Sequence, residues 1–127
     1  MRYFTLAEAE ALLPEIEKIY EAVSELAARA EAKGAAISKL EASGGDASQL
    51  AIERSQFQFL ANSVHERLQD IVDLGAVPKG LAPALVDFPS RLGGREVYLC
   101  WKLGEKRIAF YHGVEEGFSG RQPLPRK

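Results

Sequence analysis

The sequence predicts an α+β protein: a long antiparallel helical hairpin packed on a three-stranded antiparallel β-sheet of meander order. Three observations lead there. Apolar residues recur in steps of three and four through the first half of the chain, the period drops to two over residues 96–103, and glycine pairs stand where the periodic segments end.

Thr5-Leu6-Ala7-Glu8 is a capping-box pattern, in which a hydroxyl and a carboxylate satisfy the open amides of a helix start, so a helix begins near Leu6. Pro14 lies too deep for a first-turn proline of that helix, which predicts a short helix ending near Leu12 and a long one restarting at Pro14. Leu13, Ile16, Tyr20, Val23, Ala27, Ala30, Ile37 and Leu40 form the apolar stripe of the long helix. Gly34 weakens it by about 1 kcal/mol relative to Ala. Residues 42–46 supply turn chemistry, and a second long helix follows from about Ser48 to Asp73 with Phe57, Leu60, Val64, Leu68 and Ile71 on one face. Gly75 suits the left-handed residue that closes such a helix, and two long helices joined by a short loop pack antiparallel.

Val97, Leu99, Trp101 and Leu103 alternate with more polar residues, the pattern of a half-buried strand. Gly93-Gly94 before it and Gly104-Glu105 after it read as two-residue hairpin turns, where glycine supplies positive φ. Those turns predict a register: Phe88 opposite Leu99, Val86 opposite Trp101, Arg91 opposite Glu96, Ile108 opposite Trp101, and Phe110 opposite Leu99. One sheet face then carries Val86, Phe88, Val97, Leu99, Trp101, Leu103, Ile108 and Phe110 and packs on the helices. The other carries Asp87, Tyr98, Cys100, Lys102, Ala109 and Tyr111. The organisation is one domain over residues 1–127: the hairpin at 1–74, the meander at 84–112 and an extended tail at 113–127.

At 127 residues, with 46% hydrophobic and 27% charged residues, the chain sits in the range of ordinary globular domains. It has no apolar run approaching a bilayer span, and the start MRYFTLAEAE is acidic where a signal peptide is apolar. A cytoplasmic protein is expected, and the single Cys100 agrees with a reducing compartment. Residues 1–73 carry 7 Lys/Arg against 13 Asp/Glu, a balance of −6, and residues 74–127 carry 9 against 5, a balance of +4. Opposed halves favour docking within the chain or across a homo-dimer. Nucleic acid, which calls for denser basic clusters, is not expected as a partner, and neither is a membrane.

Phe4-Thr5-Leu6-Ala7-Glu8-Ala9 with Leu12-Leu13-Pro14, then Leu85-Val86-Asp87-Phe88-Pro89, Glu96-Val97-Tyr98-Leu99-Cys100-Trp101 and Gly117-Phe118-Ser119-Gly120-Arg121 stand in one order along nearly the whole chain. In these words the chain resembles a family of small prokaryotic proteins with a domain of unknown function, number twenty-two-oh-three. The resemblance implies kinship and no particular reaction, cofactor or ligand.

The candidate polar site comprises Asp87, Tyr98, Lys102, Tyr111, His112, Glu115, Glu116 and Arg121 at the end of the sheet. Asp87, His112, Glu115 and Glu116 offer the imidazole and carboxylates that suit zinc, iron or manganese. The expected register, however, sends Asp87 to the face of Tyr98 and Cys100 and His112 to the face of Phe110, so the simpler reading is a His capping the sheet edge beside solvated glutamates. Asp87, in an otherwise apolar strand, needs a partner, for which Lys102 and Arg121 are the candidates. Tyr98 and Tyr111 are expected opposite each other. Cys100 as a nucleophile would need a base, and His112 is expected on the other face. Gly113, Gly117 and Gly120 with Arg121 hint at an anion loop, but an ordinary ordered tail is simpler because no helix follows. His65 reads as a surface or interface residue.

These readings favour a non-catalytic self-associating or protein-interaction module. The alternative is a small metal- or anion-binding enzyme built around the polar end of the sheet.

Overall fold

The computed structural model describes residues 2–125. The last two residues of the expected tail, 126–127, lie outside the described residues. Three helices, α1 (Leu6–Ala11), α2 (Leu13–Ser43) and α3 (Ala47–Asp73), precede five strands, β1 (Val77–Leu81), β2 (Ala84–Leu92), β3 (Arg95–Lys102), β4 (Phe110–Gly113) and β5 (Gln122–Pro123), with a 3₁₀ turn at Phe118–Gly120. The residues cluster into two compact units, Met1–Lys18 with Asp70–Lys127, and Ile19–Gln69. No helix among the described residues is long and apolar enough to cross a membrane.

The helix boundaries follow the local chemistry. Thr5 Oγ1 accepts from the Glu8 amide at 3.1 Å while Glu8 Oε1 accepts from the Thr5 amide at 2.8 Å, completing the capping box. The Thr5 amide also holds the Glu8 carboxyl below its usual range. α1 stops at Ala11 and α2 restarts with Pro14 in its first turn, where a missing amide costs nothing. α3 closes on Gly75, at φ +98°. The Gly75 and Ala76 amides reach back to the carbonyls of Val72 and Ile71 at 2.9 and 3.3 Å, a Schellman closure.

In the unit built from residues 1–18 and 70–127, the strands run in the order β1-β2-β3-β4-β5, every neighbouring pair antiparallel. The sheet has five strands rather than the three expected. β1 is an edge strand holding Pro78 and Gly80, residues that read as turn formers in sequence but are tolerated where one side of a strand needs no partner. β5 is only two residues long and ends in Pro123. Val86, Phe88, Val97, Leu99 and Trp101 are all buried, together with Phe4, Leu13, Ile16 and Ile71 of the same unit. The Phe4 ring meets Phe88 edge-on at 5.4 Å, and its amide donates to the Pro89 carbonyl.

The β2–β3 register is as expected throughout, with Val86 opposite Trp101, Phe88 opposite Leu99 and Arg91 opposite Glu96 around Gly93 and Gly94, at φ +59° and +79°. The β3–β4 register is not. Gly104-Glu105 does not form a two-residue hairpin. Residues 103–109 make a longer connection, and Phe110 pairs with Cys100 instead of Leu99. A shift of one residue turns over every side chain of β4. Phe110 and His112 join the Cys100 face, and Tyr111, opposite Leu99, leaves it. Ile108 is buried but lies in the connection rather than opposite Trp101, its amide donating to Glu10 Oε2 at 2.9 Å. Leu103, expected on the buried face, is 39% exposed.

The Ile19–Gln69 unit is an antiparallel helix pair closed at Gly44, φ +65°. Arg54 pairs with Glu41 at 2.7 Å, and Lys33 reaches Glu53 and Gln56 at 3.1 and 2.5 Å. Tyr20, Val23 and Leu60 are its buried residues. Ile52 and Phe59, seven apart on α3, stand exposed.

Candidate functional site

Three adjacent strands of the sheet each send one polar group to the same spot on the face that carries Cys100. Asp87 of β2 stands directly opposite Cys100 of β3, and His112 of β4 stands opposite Tyr98, next along β3 on the same face. All three are buried: Asp87 4%, Cys100 1% and His112 3% exposed. One donor atom from each lies within 4.8 Å of the others.

The imidazole is held by both nitrogens. Nδ1 is 2.8 Å from the Gly113 carbonyl, and Nε2 is 3.1 Å from Asp87 Oδ1. A carbonyl can only accept, so Nδ1 carries the proton and the remaining lone pair of a neutral ring points at the carboxylate. Two acceptors cannot face each other at that distance unless a second proton or a cation lies between them. The Tyr98 ring flanks the imidazole, 5.5 Å between centroids and tilted by 46°.

Cys100 completes the group. Burial pushes its thiol up to about 11, the Asp87 carboxylate pushes in the same direction, and the Arg121 guanidinium opposes them. That environment does not suit a nucleophile, which needs a thiolate and a free base. Here Nε2 of the imidazole faces Asp87 and Nδ1 faces the Gly113 carbonyl, so neither nitrogen is available to the thiol. A cation reverses the balance, because it replaces the protons of thiol and pair alike.

A cavity of about 210 Å³ opens over the three groups, walled by Lys79 of β1, Leu85 of β2, Tyr98 of β3, and Val114, Glu116 and Phe118 of the tail. Glu116 is among the lining residues, and its Oε1 accepts from the Gly113 amide at 2.9 Å. Glu115 is exposed in the adjoining turn and does not line the cavity. Lys102 is exposed, opposite Leu85, and does not pair with Asp87. Tyr111 does not face Tyr98. It is on the other face, donating to Gln122 Oε1 at 3.1 Å.

Arg121 is no partner of Asp87 either. Its Nη1 and Nη2 donate to Glu105 Oε2 and Oε1 at 3.2 and 2.7 Å, and Nη2 also reaches the Cys100 carbonyl at 3.0 Å. The guanidinium lies 4.2 Å from the Phe110 ring centroid and 4.7 Å from that of Phe118. Arg121 therefore ties the tail to the β3–β4 connection. His65 is exposed on α3, as a surface residue.

The residue that the sequence reading left out of the ligand set is Cys100. Its position opposite Asp87 was already contained in the β2–β3 register. What hid the cluster was the β4 register, which put His112 on the wrong face.

No curated protein and no solved structure matches the chain. Residues 2–124 match the model of the DUF2203 family, described as an uncharacterized conserved protein, and the chain thus belongs to the family that its sequence words resemble.

Proposed function

We propose that this protein binds a transition-metal ion of the zinc class, with Asp87, Cys100 and His112 as its three protein ligands. The observation that carries the reading is the buried His112–Asp87 contact at 3.1 Å, an imidazole nitrogen against a carboxylate with a thiol beside both. Two N/O donors on a tetrahedral zinc stand about 3.3 Å apart, so this pair needs little movement to share an ion. A thiolate donor favours zinc over magnesium or calcium, and Asp87 with ionised Cys100 balances a divalent charge. Gly113 supplies the outer carbonyl that orients a metal-bound imidazole. Three protein ligands under an open cavity correspond to a centre with a free coordination position.

Metal analysis of protein purified without added metal and then dialysed against zinc tests this. One ion per chain is expected, falling at least tenfold in affinity in Asp87→Asn, Cys100→Ser and His112→Ala. Wild-type protein that retains no metal after dialysis would overturn it.

Self-association is a second reading, compatible with the first. Ile52 and Phe59, 54% and 69% exposed and two turns apart on α3, support it. A mass that stays monomeric up to high concentration argues against it.

A further inference from the structure

Glu116 is held more firmly than an exposed turn residue needs to be. Besides the Gly113 amide on Oε1, its side chain lies against two glycines. A Cβ on Gly113 would stand 2.7 Å from Oε1, and one on Gly120 would stand 2.9 Å from Glu116 Cβ and 3.0 Å from Oε2. Real Cβ atoms essentially never come within 3.0 Å, so a side chain at Gly120 would collide with Glu116 Cβ and one at Gly113 would push the carboxylate aside, and neither glycine has a positive φ that would call for glycine by itself. Their lack of side chains leaves room for the Glu116 side chain, and Glu116 is among the residues that line the cavity above Asp87, Cys100 and His112.

From this we infer that the centre is hydrolytic, with Glu116 taking the proton of a metal-bound water and a small acyl ester or amide as the substrate. The inference rests on the metal reading above. A metal with three protein ligands keeps a position for water and makes it acidic enough to lose a proton near neutrality. A carboxylate whose one oxygen is occupied by an amide still has the other to accept that proton. The resulting hydroxide forms a bond to the acyl carbon, and the carbonyl electron pair moves onto oxygen. When that pair returns, the bond from carbon to the alcohol or amine breaks, and the leaving group takes the proton from Glu116. Water is the only co-reactant, and nothing is oxidised or reduced.

Lys79 is the one cation among the lining residues and has no ion-pair partner among the described residues, so it is free to attract the oxyanion. The cavity, about 210 Å³, suits a short acyl group. Leu85, Val114 and Phe118 make its wall largely apolar, which suits an alkyl chain.

The test uses the full chain loaded with zinc and p-nitrophenyl acetate as probe, with bound zinc measured in the same samples. Turnover above that of zinc in buffer is expected, abolished by a chelator and restored by zinc. Glu116→Gln should lower kcat about 100-fold or more with zinc content unchanged, and Gly113→Ala, which displaces the carboxylate, should lower it in the same direction. Zinc bound without turnover, or a Glu116→Gln variant as fast as wild type, overturns the hydrolytic inference and leaves the metal reading standing. Failure to hold zinc overturns both.

Discussion

The two hairpins that share β3 are built on different principles. Between β2 and β3 the chain reverses through Gly93 and Gly94 alone, both at positive φ, and eight successive residue pairs follow without interruption. Between β3 and β4 the reversal takes residues 103–109 and is held by side chains. Glu105 sits at its centre: its carboxylate accepts from the Lys102 amide at 2.7 Å and from Arg121, and its carbonyl accepts from Trp101 Nε1 at 2.9 Å. A two-residue turn determines register through backbone torsion alone. A longer connection leaves register to whatever its side chains reach, and here part of that anchor comes from the tail.

That difference can be broken first at Arg121. Arg121→Ala removes a two-pronged ion pair, a bond to the Cys100 carbonyl and stacking on two rings, and should cost about 3 kcal/mol in denaturant unfolding. The loss should be accompanied by faster amide exchange in β4 than in β2. Equal protection in both strands would show that the β3–β4 register does not depend on the tail.

The β2–β3 hairpin should respond instead to its turn. Gly94→Val forces a β-branched residue to φ +79° and should cost about 2 kcal/mol, with exchange in β4 less affected than in the Arg121 variant.

Alkaline pH sharpens the comparison at the shared strand. In metal-free protein the Cys100 thiol is raised from 9.0 to about 11, so the folded state keeps a proton that the unfolded chain releases. The thiol's contribution to stability is therefore fully present below about pH 9 and is lost as pH rises toward about 11. Cys100→Ala should remove the part of that decline due to the thiol. A decline of unchanged steepness in the variant would assign it to other groups.

The smallest effect lies outside both hairpins. A Cβ at Gly34 would meet Phe57 Cε2 at 3.7 Å, ordinary contact, and the backbone there is helical. Gly34→Ala should raise stability by about 0.5–1 kcal/mol and leave the amide exchange of both hairpins unchanged.

Much of the fold was legible because its signals are local. The capping box at Thr5, the restart at Pro14 and the closures at Gly44 and Gly75 each depend on a few neighbouring residues. The stripe positions from Leu13 to Leu40 are all buried or half-buried, as their spacing requires. β1 was missed because Pro78 and Gly80 signal a turn, and only the neighbouring β2 shows that the segment is an edge. The candidate site was half legible. Asp87 opposite Cys100 follows from the Gly93-Gly94 turn, but His112 needed the register of a strand whose connection no local rule sets.

By itself, then, the sequence determined the helices, their ends, the β2–β3 pairing and the buried face of those two strands up to Trp101. Hydrophobic period and turn chemistry act over a few residues, and those elements answer to them. Tertiary structure alone decided which face His112 takes and where Arg121 goes, and it thereby brought Asp87, Cys100 and His112 together. That choice rests on contacts between residues distant in the chain, Glu10 with Ile108 and Arg121 with Glu105, and a one-residue change in pairing is enough to carry an imidazole from one side of a sheet to the other.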